Sequence, residues 1–491
     1  MTPELLPLFV GVPLLAAGVT AFAGDRRRWP LVVLFAVLAA QLVAASSLVA
    51  ATRDGEVLAH GVGAWVPGIA IPFAGDMLAA LMLLFTGFLT LMCSWYAVAS
   101  GVGRVRLFAP LVLALTAGVD GALLTADVFN LFVFIEVMLL PSYGLLVLAS
   151  RGRGTLRSVT GSRLYVTFNL FVSTLFLAGV GLIYGTAGTV NLGELAGVAA
   201  EDGRVAAGAG VALAALMMKA ATIPTHGWLA RAYPSTSPAV TALFSGLHTK
   251  VAIYAIYRLY AVLFEGDQRW LAIGLTIFAL TMAVGVLGAV GERTTRSILA
   301  FHMVSQIGYI LVGVGLFTAA GLAAGLFYLL HHMVVKASLF LSTGAVEDAY
   351  GTNRLDELHG IGRREPVIAA AFAVAALSLA GLPPFSGFVA KLTLIIASID
   401  AGQIAVAVVA ILVSLVTLQS MLKIWNNVFV SPSPEGGDRD RRIGWWLAAP
   451  ALMTATVTVV LGLGAQGLLG LTEVAAAGLL DTSTYVAEVL R

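Results

Sequence analysis

The chain is poor in what redox or metal chemistry requires. Its 491 residues include a single cysteine, Cys93, so neither an internal disulfide nor a cysteine metal cluster can form. Flanked by apolar residues, Cys93 reads as packing. Charge is equally scarce: Asp, Glu, Lys and Arg make up 11% of the chain against 59% hydrophobic residues, where soluble domains carry about 25% charged residues. That balance marks an integral membrane protein. A formal net charge of +2 offers nucleic acid no hold. The sequence also lacks a P-loop, a dinucleotide-binding glycine fingerprint and any haem or iron–sulfur ligand set, so neither cofactor nor metal is expected.

What is present is apolar runs of bilayer-spanning length, about 20 residues each. They fall near 4–23, 30–51, 75–99, 107–126, 128–150, 163–186 and 205–231, and then near 238–263, 270–291, 296–317, 320–345, 366–399, 403–429 and 444–470. They predict an all-α polytopic membrane protein of about 14 transmembrane helices with mostly short loops. Asp127 punctuates the fourth and fifth runs as an N-cap. The first run ends in Ala21-Phe22-Ala23, a signal-peptidase pattern, but no positive charge precedes it and Arg26, Arg27 and Arg28 follow it. That order is reversed for a cleaved signal and predicts an uncleaved first helix with its N-terminus outside.

Arginines set the orientation. Loops after odd-numbered helices hold Arg26, Arg27, Arg28, Arg104, Arg106, Arg151, Arg153, Arg157, Arg163, Arg231, Arg293, Arg296, Arg354, Arg363, Arg364, Arg439, Arg441 and Arg442, and the other side only Arg53, Arg204, Arg269 and Arg491. The rich side is read as cytoplasmic, with both termini outside.

The lysines are distributed differently. Lys219, Lys250, Lys336, Lys391 and Lys423 all fall inside predicted helices, whereas the arginines, Arg258 apart, lie in loops or at helix ends. A lysine in a membrane helix costs about 2.5–3.5 kcal/mol on insertion scales and points to function. Arginine stays charged, while a desolvated lysine can release its proton. Lys423, near a helix end, also suits plain snorkelling to the interface.

Two predicted helices, the seventh and the twelfth, carry both a lysine and a break. Pro224-Thr-His-Gly227-Trp228 and Pro384-Phe-Ser-Gly387-Phe388 share the spacing P-x-x-G-aromatic, with Pro383 beside the second. Proline interrupts the helical hydrogen-bond ladder, and an offset of five helices implies opposite orientation. The pattern is that of inverted repeats with discontinuous helices beside ion sites. It divides the chain into helices 1–3 (1–106), a first five-helix repeat of helices 4–8 (107–264), a second of helices 9–13 (265–430) and a C-terminal helix with tail (431–491).

Between the breaks lie further titratable groups. Glu136 stands in an otherwise apolar helix and needs a partner or a proton; Lys219 is the expected partner, either as a switchable pair or as a static tie between helices. His248 precedes Lys250 by two residues. His332 and Lys336 share a helix face at i,i+4. His302, Ser305, Gln306 and Tyr309 form one polar stripe, Tyr165, Asn169 and Ser173 a second, and Ser420, Lys423 and Asn427 a third. Histidines among lysines on successive helices suit a lateral proton relay rather than one substrate pocket.

At three strings the chain resembles a known family: 127–146 around Glu136, 219–250 through the first break, and 379–391 through the second. They are similar to the antiporter-like family, which comprises the proton-pumping membrane subunits of respiratory complex I and the large subunits of Mrp multisubunit cation/proton antiporters. The resemblance covers nearly the whole chain and implies fourteen helices, with inverted repeats 4–8 and 9–13 and with helices 7 and 12 broken. The string around Glu136 is closer to D-type Mrp subunits. Lys391 stands where M-type complex I subunits carry glutamate; N-type subunits also carry lysine and remain the nearest rival. The resemblance implies that Glu136, Lys219, Lys250 and Lys391 translocate protons, with His248, His332, Lys336, His302 and Lys423 as relay residues. It further implies a bacterial plasma membrane location, A-, B-, C-, E-, F- and G-like Mrp partner subunits, and protons and sodium as the transported ions. Pro141 replaces a small residue of the family pattern and is expected to kink the fifth helix.

Overall fold

The computed structural model describes residues 1–22, 28–63, 65, 70–149, 156–432 and 442–491. Ala23, Arg26, Arg27, Arg151, Arg153, Arg439 and Arg441 lie outside the described residues, as does the side chain of Arg157.

The first half contains α1 (Leu8–Ala21), α2 (Trp29–Ala51), a hairpin of β1 (Leu58–Val62) and β2 (Ile71–Gly75), α3 (Met77–Ala99), α4 (Phe108–Leu124), α5 (Val128–Ala149) and α6 (Leu156–Ala187). A short α7 (Val198–Glu201) leads into α8 (Gly203–Lys219), α9 (Gly227–Ala232) and α10 (Pro238–Phe264). The second half contains α11 (Leu271–Gly291), α12 (Thr295–Leu316), α13 (Ala319–Tyr350), α14 (Ile361–Arg364), α15 (Pro366–Ala380), α16 (Ser386–Asp400) and α17 (Ile404–Ile424). It closes with α18 (Trp445–Leu463), α19 (Ala465–Leu480) and α20 (Ser483–Val489).

Among the described residues, 11 helices are long and apolar enough to cross a bilayer. The remaining expected spans are α4, one turn short at 17 residues, and the two interrupted helices, α8 with α9 and α15 with α16. α10 and α13 are buried on every side and α12 almost so, whereas α1, α2, α11 and α17 are mostly exposed. A helix apolar all round belongs in a core. These three central helices also carry His248, Lys250, His302, His332 and Lys336, which places the polar residues at the axis of the bundle.

The two halves repeat their joints in the same order along the chain. Gly118 and Gly121 on α4 face α5 so closely that an added Cβ would lie 2.4 Å from Met138 N and 2.3 Å from Phe134 Cδ1; on α11, a Cβ added to Gly285 or Gly288 would lie 2.3 Å from Ser305 N or 2.3 Å from Phe301 Cδ1 on α12. Asp127 caps α5 through the Asn130 amide at 2.6 Å, and Thr294 caps α12 through the Ser297 amide at 3.2 Å. α6 and α13 are each 32 residues long. Each is followed by the same octet, G-T-x-x-L-x-E-L, at 188–195 and 351–358. In the first octet the Leu192 amide donates to Ala126 O at 2.9 Å and the Val128 amide to Val190 O at 2.8 Å. In the second, Leu355 donates to Arg293 O at 3.0 Å and Thr295 to Asn353 O at 2.9 Å. Each octet thus fastens the end of one long helix to the start of another.

Two features differ from the sequence reading. A hairpin interrupts the all-α expectation, with Leu58 opposite Gly75 and Val62 opposite Ile71. The Ala126 amide donates to Pro72 O at 2.9 Å, so the hairpin lies over the α4–α5 joint. The last span runs past 470 as α19, after a bend at Gly464. There Gly462 presses on the second break, its Cβ position 2.5 Å from Pro384 O. Pro141 lies inside α5, which continues past it to Ala149. Pro141 removes the amide that would bond Val137 O, and Gly118 lets α4 close on that same turn.

Both termini lie on one side, because Pro3–Leu5 packs on β1 while α20 packs on β1 and β2.

Candidate functional site

The two helix breaks have the same backbone. At the first, Ala221 has φ +64°, its amide donates to Met218 O at 3.0 Å, and Thr222 donates to Met217 O at 3.1 Å. At the second, Gly381 has φ +90°, its amide donates to Ser378 O at 3.0 Å, and Leu382 donates to Leu377 O at 3.1 Å. A left-handed residue suits glycine and strains alanine. Side chains satisfy other freed groups: Trp228 Nε1 donates to Met218 O at 3.0 Å, and the Ile223 amide to Thr281 Oγ1 at 3.1 Å.

The lysines are not equivalent across the repeat. Lys219 is the last residue of α8, before its break. Lys391 lies on α16, after its break, and reaches back so that Nζ donates to Ala380 O at 3.0 Å, at the end of α15. The Lys391 ammonium therefore sits at the C-terminal end of α15, where the backbone dipole favours a cation, whereas the Lys219 ammonium turns to Asn169 on α6.

Glu136 and Lys219 do not touch. Ser173 Oγ donates to Glu136 Oε1, and Lys219 Nζ donates to Asn169 Oδ1 at 3.3 Å. Asn169 and Ser173 are one turn apart on α6, so that helix holds the carboxylate and the ammonium side by side. The two still interact electrostatically. Continuing down the stripe, Tyr165 OH contacts His248 Nδ1 at 2.6 Å and Ser142 Oγ at 3.0 Å. His248 lies within electrostatic reach of Lys219.

On α10 the two-residue step from His248 to Lys250 turns the side chain to another face. There Lys250 donates to Thr249 Oγ1 at 3.2 Å and interacts with His332 and Lys336 on α13. His332 has no hydrogen-bond partner among the described residues at either ring nitrogen, while Lys336 Nζ donates to Leu299 O at 2.9 Å. His302 on α12 interacts with both Lys336 and Lys391 and pairs through Nε2 with Ser420 Oγ at 2.8 Å. Lys391 lies 5.3 Å over the Tyr309 ring. These groups, buried except for half-buried Glu136, are spread over α5, α6, α8, α10, α13, α12 and α16, with His248 and Lys250 on different faces of α10.

A model of the transmembrane family of NADH:quinone oxidoreductase and Mrp antiporter proteins matches residues 125–417. The chain belongs to this family. The match includes Glu136 and Lys391 and ends before Lys423. The chain is 35% identical to a D-type Na(+)/H(+) antiporter subunit of Alkalihalophilus pseudofirmus, across 100% of this chain and 98% of that one. It is 31% identical to the corresponding D-type protein of Bacillus subtilis, across 99% of each. Its fold matches a chain of the Mrp complex from Dietzia sp. DQ12-45-1b at TM-score 0.96 and 54% identity, with 100% of both covered. A chain of Thermus thermophilus respiratory complex I shares the fold at TM-score 0.81 and 23% identity, covering 97% of this chain and 100% of that one.

Lys423 stands apart from the succession. Its Nζ donates to Val290 O at 2.9 Å and Glu292 O at 2.7 Å, so it caps the end of α11 at the bundle surface. Conversely, the sequence reading passed over His331. That residue pairs with Ser386 Oγ at 2.7 Å, at the start of α16, and lies within reach of Lys391. Its adjacency to His332 was the available signal. Asp120 was missed as well: it is buried on α4 and accepts from Gln41 Nε2 at 2.6 Å.

Proposed function

We propose that this chain is the D-type, proton-translocating member of a multisubunit Na+/H+ antiporter, working beside the other Mrp-type subunits in a bacterial plasma membrane. Its full-length likeness to D-type antiporter proteins supports the assignment, and the observation that carries the mechanism is the row of titratable groups from half-buried Glu136 through buried Lys219, His248, Lys250, His332, Lys336 and His302 to Lys391. The Glu136–Lys219 pair acts as the switch. With Glu136 ionised and close, Lys219 keeps its proton; when α5 and α6 shift apart, the buried ammonium loses its stabilising charge and passes the proton on. Histidines and water carry it to Lys250, Lys336 and Lys391.

Helices 4–8 and 9–13 serve as two inverted repeats, consistent with matching joints separated by five crossings. The arginine-rich side, which among the described residues still holds Arg28, Arg104, Arg106, Arg231, Arg293 and Arg354, faces the cytoplasm, and both termini face out. Replacing Lys219 by Ala tests the reading. In vesicles holding the assembled complex, sodium addition should no longer dissipate a pH gradient; undiminished antiport refutes the relay. Co-purification with flavin or iron–sulfur proteins would instead place the same relay in a quinone oxidoreductase.

A further inference from the structure

Above the relay, on the side of the termini, lies a cluster that the Glu136-to-Lys391 succession does not use. Lys250, Tyr254 and Arg258 follow one another at i,i+4 and i+8 on α10, so one face leads from the relay toward that surface over about 12 Å. Tyr254 OH donates to Leu123 O at 2.6 Å and closes the gap to α4. Arg258 is 2% exposed, and its Nη2 pairs with Asp76 Oδ2 at 2.6 Å. Asp76 is itself fixed, because its other oxygen accepts from the Ala79 amide at 3.0 Å and caps α3. Over the guanidinium lies the ring of Tyr485 on α20, 4.4 Å from Cζ to the centroid. Arg258 Nε and Nη1 have no hydrogen-bond partner among the described residues although both are buried. On its other side the guanidinium lies 5.7 Å from the centroid of the Tyr254 ring, so it is held between two aromatic rings, of which only Tyr485 belongs to the short terminal helix.

We propose that Arg258, Asp76 and Tyr485 form the outer gate of the relay, with α20 as its lid. The inference rests on the proton-relay reading for its purpose. The buried Arg258–Asp76 pair closes the route, and arginine does not release its proton to carry one across. The gate therefore works by displacement rather than titration: α20 lifts, Arg258 swings toward the surface, and Lys250 comes within reach of outside water.

Thiol accessibility tests this in the assembled complex in whole cells, using a membrane-impermeant sulfonated maleimide. Tyr254→Cys should stay unlabelled while Tyr485 is present and become labelled when combined with Tyr485→Leu or with truncation after Leu480; Cys93, buried on α3, serves as the unreactive internal thiol. Tyr485→Leu retains bulk without the cation–π contact, so its complex should assemble. In the same variants, the sodium-independent proton leak should rise and be suppressed by Lys250→Ala, a response that a merely structural contact would not give. Equal labelling with and without Tyr485, whether present or absent in both, overturns the gate. Labelling is independent of proton flow, so a failed gate is distinguishable from a failed relay, which Lys219 variants report.

Discussion

Lys219 and Asn169 are joined by a 3.3 Å hydrogen bond, and through Asn169 the lysine is held by α6 rather than by Glu136. The carboxylate is held one turn away by Ser173. The proposed switch therefore involves three helices, with α6 holding both of its charged groups.

Asn169→Leu removes the side chain that accepts from the Lys219 ammonium. Hydrogen bonds to charged groups contribute about 1.5–3 kcal/mol, and about 1.4 kcal/mol is tenfold in an equilibrium. Antiport should fall by roughly tenfold to a hundredfold with normal assembly. Sodium-induced dissipation of a pH gradient measures it, and a rate equal to the parent would remove α6 from the switch.

Lys423→Ala should leave antiport nearly unchanged. It removes a cation from the C-terminal carbonyls of α11, a surface effect of about 0.3–1 kcal/mol. A small loss of thermal stability with full transport is the expected result, and loss of transport would return Lys423 to the relay.

His331→Ala should reduce antiport although His332 remains. The substitution removes the ring that joins Ser386 to the surroundings of Lys391. Ser386→Ala, which leaves the imidazole in place, should have the weaker effect. The two rates, compared at matched complex levels, decide whether the imidazole or only its anchor matters.

Gly285→Ala should destabilise the complex by about 1–3 kcal/mol through overpacking, because the new methyl group would meet Ser305 N at 2.3 Å. Gly11→Ala on α1, with nothing within 4 Å, is the control and should be neutral or mildly stabilising. Thermal unfolding of the purified complex separates the two.

Much of the architecture was legible because a bilayer demands long apolar helices and a charge among them stands out. The spans, the broken helices and the lysines all follow from that contrast. Contacts between helices were less legible. Glu136 and Lys219 looked like partners by elimination, yet Asn169 and Ser173, present in the same stripe, take the direct bonds. His331 was hidden by its neighbour, since one helical step of about 100° sends adjacent side chains to different walls. The octets after α6 and α13 are polar loop sequence, without the hydrophobic period that marks helices. The hairpin is too short and too rich in glycine and proline to read as strands.

Lys219→Arg tests the relay most directly. Arginine keeps a positive charge beside Glu136 and Asn169 but does not release a proton. If Lys219 hands on a proton, the complex assembles and sodium no longer dissipates a pH gradient, as with Lys219→Ala. If Lys219 only ties helices together, arginine should serve, and transport at the parental rate in Lys219→Arg would contradict the relay.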